Sequence, residues 1–357
     1  MIKAMKEIEL NPIDIDKSAD GYMPSDELIS ALEIAYTLKR PLLLSGAPGA
    51  GKTDFAKWVA KSLKSRGFAD KPFVYATKSS SVSSDLFYYY DAVSHFRDNR
   101  PHFQDNVKET KTTAIEKITD GNPTIIKTDS VEQEKVPARP QLNAADYIQL
   151  KALGLAFARA IGCENAGENK ALFEKSGVPA QPTSSVVLID EIDKASRDFP
   201  NDLLNELEDY VFEIKELNRK IELKDKEPER LIIILTSNFE KSLPEPFLRR
   251  CIYFHIDFPS RDRLVEIVMS RLKIDNKHLN DITNRIDDFF IIYNYELQKK
   301  PSTSECIDWI RSIMKAGVLS TGLFAPGKSL KDSPLKAFFP ILLKKQEDLE
   351  FVLDKTF

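Results

Sequence analysis

Short apolar runs alternate along this chain with amphipathic stretches, and that alternation predicts strands separated by helices. Continuous apolar residues occupy 42–44, 186–189 and 231–235. Runs of this kind are typical of strands that are covered on both faces, as in a parallel sheet. Two further strands are predicted at 72–76 and 251–258. The pattern therefore indicates a chain of the α/β class.

Apolar residues at helical spacing predict a first helix at 25–39, with Ser25 as its N-cap. The same periodicity predicts helices at 53–65, 84–96, 144–161 and 201–210. After Pro259 only helices are predicted, at 261–273, 280–300, 303–316 and 336–353. We therefore expect an N-terminal extension at 1–24, an α/β domain at 25–259 and a helical domain at 260–357.

Two segments interrupt the alternation. Residues 97–140 are polar and lack helical or strand periodicity. A loop of this length in a compact domain is usually a functional insertion or a mobile segment. Residues 211–223 alternate loosely around Asn218 and Arg219, a pattern that predicts a β-hairpin.

Composition narrows the classes of protein. The 357 residues carry a net charge of −4, which argues against a strongly basic nucleic-acid coat protein but leaves a local basic patch open. Three scattered cysteines and four histidines show neither a disulfide framework nor metal-ligand spacing. No apolar run approaches the roughly 20 residues of a membrane span, and the first residues lack the apolar region of a secretion signal. We expect a cytoplasmic protein.

The strongest chemical signal is a complete GxxxxGK[ST] motif at 46–53, between a predicted strand and a predicted helix. Glycines in such a loop let backbone N–H groups surround phosphate oxygens, and the helix N-terminus adds positive potential. Lys52 is expected to reach the β- and γ-phosphates, and the Thr53 hydroxyl to hold Mg²⁺. The expected nucleotide-binding residues are those of the motif and the residue after it: Gly46, Ala47, Pro48, Gly49, Ala50, Gly51, Lys52, Thr53 and Asp54.

A pair of carboxylates follows the strand at 186–189. Adjacent residues at a strand end point to opposite sides, so Asp190 and Glu191 can serve different partners. Asp190 fits the role of metal ligand, and Glu191 fits the base that polarises the attacking water.

Two further polar elements follow the next apolar run. Asn238 ends the strand at 231–235 and could orient a water beside the γ-phosphate. Arg249 and Arg250 stand just before the last predicted strand. An arginine binds phosphate through two parallel hydrogen bonds, although paired arginines at a helix end also complement the helix dipole. Together with the other motifs, an arginine finger supplied to a neighbouring subunit is the better interpretation.

Taken together, the phosphate loop, the LIDEID strand, the TSN strand end and the PFLRRC element resemble an AAA+ ATPase. Within that superfamily the chain resembles the MoxR-like branch, because of the segment at 80–96, the location of 97–143 and the hairpin at 211–223. These last two segments stand where the branch carries its helix-2 insertion and its pre-sensor-1 hairpin. The C-terminal segment 342–353 also resembles the end of the lid in related members.

The resemblance implies a P-loop NTPase fold, with a five-stranded parallel sheet between helices and an all-helical C-terminal lid. It also implies a homo-oligomer, which we expect to be a hexameric ring that uses ATP and Mg²⁺. By the family pattern, Lys52 and Thr53 match Walker A, Asp190 and Glu191 match Walker B, and Asn238 matches sensor 1. The arginine finger aligns best with Arg250, with Arg249 as the second candidate.

One position departs from the family pattern. The lid helix usually begins with a sensor-2 arginine, but residues 299–304 contain none. Either Lys299 or Lys300 takes its place, or the lid senses the γ-phosphate weakly.

Three functional hypotheses follow. The first is an ATPase that remodels or assembles a partner protein, commonly a von Willebrand factor A-domain (VWA) protein in this branch. The second is an interaction module that binds nucleotide and hydrolyses it slowly. The third is a nucleotide-driven motor of a DNA-targeting or defence complex, similar to the McrB relatives, although the composition does not indicate nucleic-acid binding.

Overall fold

The computed structural model describes residues 15–16, 22–98, 143–225, 227–322 and 330–355. They form two compact units. One contains the described residues of Met1–Tyr89 and Gln149–Phe357, and the other contains those of Tyr90–Ile148. Most of the predicted insertion at 97–143 and most of the predicted extension at 1–24 lie outside the described residues, so both stay predictions.

The described strands are, in chain order, β1 (Leu42–Gly46), β2 (Phe73–Ala76), β3 (Tyr88–Tyr90), β4 (Ile148–Leu150), β5 (Ser185–Asp190), β6 (Val211–Ile214), β7 (Arg219–Glu222), β8 (Leu231–Ser237) and β9 (Ile252–Ile256). Five of them form a sheet in the order β2-β5-β8-β1-β9. Its neighbouring strands run parallel. The five-stranded parallel sheet predicted from the sequence is therefore confirmed.

The described α-helices are α1 (Asp26–Thr37), α2 (Lys52–Ser62), α3 (Ala92–Asp98), α4 (Ala152–Ile161), α5 (Lys170–Lys175), α6 (Phe199–Glu208), α7 (Glu245–Arg250), α8 (Arg261–Leu272), α9 (Leu279–Tyr293), α10 (Thr303–Lys315), α11 (Phe339–Leu342) and α12 (Gln346–Leu353). The N-cap prediction for α1 is confirmed, since the Ser25 hydroxyl accepts the Leu28 N–H at 3.2 Å. None of the helices in the described part of the chain is both long and apolar enough to cross a membrane.

The apolar runs form the centre of the sheet. Every residue of β1 and of β8 is buried, and in β5 only the terminal Asp190 is partly exposed. Helices α1 and α2 contribute to a hydrophobic cluster with β1, β5 and β8. A second cluster is built by α8, α9, α10 and the residues that follow them. Both clusters belong to one compact unit, so the predicted domain boundary between residues 259 and 260 stays a prediction.

The predicted hairpin at 211–223 is present. Strands β6 and β7 pair antiparallel, with Val211 opposite Glu222 and Ile214 opposite Arg219. Asn218 adopts a left-handed conformation at the turn, as asparagine tolerates better than most residues. Phe212 of β6 and Ile221 of β7 are paired across the hairpin, and both side chains are buried.

The helix predicted at 84–96 is wrong. The chain instead forms a 3-10 turn at Ser83–Leu86, then β3, then α3. The Asp85 carboxylate accepts the Val82 N–H at 3.1 Å and so closes a separate turn. The tyrosines of β3 favour an extended backbone, and the Asp91 carboxylate then accepts the Ser94 N–H at 3.0 Å, which starts the new helix.

The helix predicted at 144–161 is wrong in its first half. Residues Ala144–Tyr147 form a 3-10 turn that is capped by Asn143 and Asp146, and β4 follows it before α4 begins at Ala152. Side chains that bond to nearby backbone groups compete with a continuous helix. Within the smaller unit, the His95 ring stacks on Tyr147 at 4.6 Å between ring centres.

Two C-terminal helices are shorter than predicted. The helix expected at 280–300 ends at Tyr293, where the Tyr295 N–H turns back to the Ile292 oxygen at 3.2 Å. The Asp348 carboxylate accepts the N–H groups of Gln298 and Lys299 at 2.8 and 3.1 Å and so keeps these residues outside a helix. The helix expected at 336–353 is divided into a 3-10 turn, α11 and α12, with an extended residue at Leu343.

The structure predicts a pH-dependent stability at Glu206 of α6. One oxygen of its carboxyl is buried without a hydrogen-bond partner among the described residues. Burial, with a smaller effect of Asp202, raises the pKa of Glu206 to about 7. The unfolded chain loses this proton near pH 4.5, so the folded state binds more protons between the two values and loses stability as the pH rises through 7.

We therefore expect Glu206→Gln to raise the free energy of unfolding at pH 8 by about 1–2 kcal/mol, after allowance for solvent screening. At pH 5 the substitution is expected to change it little. Urea unfolding at both values tests this, with the exposed Glu213→Gln as control. An equal effect of Glu206→Gln at the two pH values would contradict the prediction.

Candidate functional site

The loop between β1 and α2 is shaped by glycine. Gly49 and Gly51 have φ values of 79° and 92°, a region that side chains with a Cβ rarely adopt. A Cβ added to Gly49 would lie 2.4 Å from the Ser304 hydroxyl oxygen, and one added to Gly51 would lie 2.8 Å from the Tyr22 ring. The loop therefore presents its backbone, followed directly by the N-terminus of α2, as a cradle for an anion.

Lys52 is 7 % exposed and ties the loop to the end of β8. Its ammonium donates to the backbone oxygens of Gly46 and Ala47 at 2.8 and 3.1 Å, and to the Asn238 amide oxygen at 2.6 Å. Burial lowers the pKa of Lys52, although nearby carboxylates including Asp190 oppose the shift. Three oxygen atoms thus hold the Lys52 ammonium beside the loop.

The next side chain joins the loop to β5. The Thr53 hydroxyl lies 3.1 and 3.3 Å from the two carboxylate oxygens of Asp190. Thr236, fully buried on β8, donates to Asp190 at 2.5 Å and accepts the Glu191 N–H at 2.8 Å. The sequence motifs identified Asp190 and Glu191, but the role of Thr236 in holding both was missed, because a buried strand residue shows no such signal.

Glu191 stands at a strained point of the backbone. It adopts a left-handed conformation with φ 56° and ψ 51°, which costs roughly 1–2 kcal/mol for a residue with a Cβ. One of its carboxylate oxygens lies 3.3 Å from the Asn238 amide nitrogen, and the other pairs with the Lys194 ammonium. This pairing raises the pKa of Lys194.

The structure brings together Lys52, Thr53, Asp190, Glu191 and Asn238, but it places the two arginines elsewhere. Arg250 pairs with Glu208 of α6 at 2.7 Å, and Arg249 pairs with Glu245 at 3.2 Å. No hydrogen bond or ion pair within the described residues joins either guanidinium to that group. Arg249 is 80 % exposed.

A cavity of about 720 Å³ adjoins the loop, which is within the usual range for small-molecule sites. Its walls come from the loop, the N-terminal segment, the end of β9, α8 and α10. Lining residues outside the predicted set include Tyr22, Phe258, Arg263, Ile267, Arg271, Ile307 and Arg311. The spacing of Arg263, Ile267 and Arg271 could have indicated one face of a helix, but not that this face meets the loop.

Several contacts connect the cavity walls. Arg271 of α8 pairs with Asp54 in the first turn of α2 at 2.5 Å. The Tyr22 ring packs edge-on against Phe55 at 5.7 Å, and burial, together with the nearby Asp54 carboxylate, raises the pKa of Tyr22 to about 12. Asp54 was predicted to bind nucleotide, and here its carboxylate serves the contact with α8.

The lysines considered in place of a sensor-2 arginine have other partners. Lys299 lies 3.6 Å from Glu305, and the Lys300 ammonium stands 4.8 Å from the centre of the Tyr293 ring. Neither belongs to the described residues that line the cavity. Beside Gly49 lie Ser302, the N-cap residue of α10, and Ser304 in its first turn.

The parallel sheet, the glycine-shaped loop before α2 and the Lys52–Thr53–Asp190 group define a P-loop nucleotide-binding protein of the α/β class. The model of the family described as "ATPase family associated with various cellular activities (AAA)" matches residues 42–260, more than half of the chain. The chain belongs to this family of ATPases. A comparison with curated proteins found no match.

The contacts of Thr236 yield a prediction about stability. Thr236→Val keeps the shape of the side chain but leaves the Glu191 N–H without its partner, and it removes one of the two hydroxyls that contact the Asp190 carboxylate. We expect a loss of about 1–3 kcal/mol in the free energy of unfolding, measured by urea titration. Thr236→Ser retains the hydroxyl and serves as control, and a Val variant no less stable than the Ser variant would refute the assigned role.

Proposed function

We propose that this protein is a MoxR-like AAA+ ATPase, which hydrolyses ATP in a homo-oligomeric ring and uses the reaction to remodel or assemble a partner protein. The observation that carries the proposal is the meeting of Lys52, Thr53, Asp190, Glu191 and Asn238 at the ends of β1, β5 and β8. Family members are typically oligomeric, and the β6–β7 hairpin between β5 and β8 supports the MoxR-like assignment. A hexameric ring and a VWA-domain partner are the finer parts of the proposal.

The loop and Lys52 bind the triphosphate in this mechanism. The backbone of 46–51 and the N-terminus of α2 surround the phosphate oxygens. Lys52 already binds three oxygen atoms in the described chain. It exchanges one or more of them for phosphate oxygens, as a buried cation requires compensation in either state.

The pair of Thr53 and Asp190 fits a magnesium ion. A hydroxyl and a carboxylate oxygen about 3 Å apart are hard oxygen donors, the kind that Mg²⁺ prefers. Thr53 and Asp190 would hold the ion, which would supply positive charge to neutralise the negative charge that develops during phosphoryl transfer. Thr236 keeps Asp190 oriented through its hydroxyl.

Glu191 acts as the base that takes a proton from the attacking water, and Asn238 orients that water. The support for these roles is their mutual contact at 3.3 Å and the contact of Asn238 with Lys52. These contacts hold the side chains of Glu191 and Asn238 close to Lys52, which binds the γ-phosphate in this mechanism. General base catalysis contributes about 10²- to 10⁴-fold to a rate.

The second candidate function is a nucleotide-gated interaction module that hydrolyses ATP slowly. Both carboxylate oxygens of Glu191 are already engaged, and α10 starts near the loop with serines instead of an arginine. Either feature could keep basal turnover low. Stimulation of turnover by a captured partner favours the remodelling ATPase, whereas turnover indifferent to that partner favours the gated module.

Glu191→Gln tests the proposed base. We expect ATP affinity by calorimetry to stay within about threefold, while turnover falls by about 10²-fold or more, because the amide cannot accept the proton. Glu174→Gln, on the exposed surface of α5, is the control and should hydrolyse ATP like the unaltered protein. Full turnover by Glu191→Gln would remove Glu191 from this role, and absence of ATP binding by the unaltered protein would refute the proposed function.

Arg250→Ala tests whether the site is shared between subunits. We expect ATP binding to persist and turnover to fall by about 10³-fold, as for an arginine that stabilises the transition state from a neighbour. Mixed rings of Arg250→Ala and Lys52→Ala subunits should recover part of the activity, since some interfaces then contain both residues. Arg249→Ala provides the comparison, and mixed rings without recovery would contradict the shared site.

A further inference from the structure

The loop after β5 places a lysine directly beside the proposed base. Residues Ile192–Lys194 form a 3-10 turn, in which the Lys194 N–H donates to the Glu191 backbone oxygen at 2.9 Å. This turn brings the side chains of residues three apart to the same side, and the Lys194 ammonium pairs with the Glu191 carboxylate. The contact is thus a consequence of the local backbone.

Neighbouring contacts fix that backbone. The buried Asp193 carboxylate accepts the Glu240 N–H at 2.9 Å, and the Lys241 ammonium donates to the backbone oxygens of Lys194 and Ala195 at 3.3 and 3.4 Å. The turn after β5 is therefore tied to the loop after β8. A side chain that leaves such a turn has a restricted range of positions, which favours a persistent Lys194–Glu191 pair.

The pair occupies the atoms that the reaction needs. Asn238 takes one carboxylate oxygen of Glu191 and Lys194 takes the other. A general base must accept a proton from a water within hydrogen-bond reach. Each carboxylate oxygen can accept two hydrogen bonds, so the two donors do not fill the Glu191 carboxylate, but they fix its orientation. Asn238 is itself needed beside the water, which leaves Lys194 as the donor that the carboxylate leaves when it turns toward the water.

We propose that Lys194 is a positioning residue, which holds the Glu191 carboxylate in a resting orientation and thereby limits basal hydrolysis. This inference rests on the proposed function of the site. The described contacts also supply a route for release. Lys52 bonds the Asn238 amide oxygen, and the Asn238 amide nitrogen bonds Glu191, so movement of Lys52 to a phosphate oxygen frees the amide to turn and, with it, the carboxylate that it holds.

Substitution of Lys194 separates this role from others. Its side chain is 42 % exposed, so Lys194→Met removes the charge without opening a buried cavity. We expect turnover at saturating ATP to rise roughly threefold or more, the size of effect that corresponds to loss of a partly exposed ion pair. The KM for ATP should change less than twofold, because Lys194 does not bind the phosphates in this scheme.

Two controls accompany the measurement. Lys194→Arg keeps the charge and should behave like the unaltered protein. Lys170→Met removes another lysine from an exposed lysine–glutamate pair, with Glu174, and should leave turnover unchanged. Unaltered or lower turnover in Lys194→Met would overturn the proposal, as would a raised KM with the same turnover, since that result would make Lys194 a phosphate ligand.

The experiment also distinguishes failure of this inference from failure of the proposed function. If the unaltered protein binds ATP without hydrolysing it, a Lys194→Met variant that gains turnover supports the restraint, and one that stays inactive overturns it. If calorimetry detects ATP binding to neither protein, the proposed function itself fails and the restraint fails with it.

Discussion

The candidate site depends on the hydrogen bonds of the buried Lys52 ammonium group. A cation removed from water is costly unless polar partners surround it, and here the partners are two backbone oxygens of the loop and the Asn238 amide. Because these groups lie at the carboxyl ends of β1 and β8, one side chain ties two strand ends together. The same cation can bind a phosphate only by exchanging partners, so ligand binding and the local structure are coupled.

The order of strands explains why the other functional side chains converge. Strand β8 lies between β1 and β5, and all three run in the same direction. Their carboxyl ends therefore share one edge, where Thr236 reaches across to both Asp190 and the Glu191 N–H. The hydroxyl acts where a longer side chain would not fit, since β8 is buried throughout.

The sequence allowed prediction of the features that depend on local pattern. The apolar runs mark β1, β5 and β8 because both faces of these strands are covered, and the GxxxxGK[ST] motif marks the loop because only glycine suits its conformations. The segment at 84–96 and the first half of 144–161 were predicted wrongly, since aspartate and asparagine side chains there bond to nearby backbone and divide the apparent helices. Helical spacing is a weak signal where such capping residues compete with it.

The cavity residues could not be predicted for a different reason: they meet only after the helices pack. Arg263 and Arg271 on α8 and Arg311 on α10 are far from the phosphate loop in sequence, yet all three line the cavity beside it. The missing arginine at 299–304 therefore does not leave the helical side of the cavity without positive charge. Arg271 already bonds Asp54, just after Thr53, so a ligand in the cavity would contact elements of both hydrophobic clusters. Helices α8 and α10 therefore lie where they can contact a ligand bound at the phosphate loop directly.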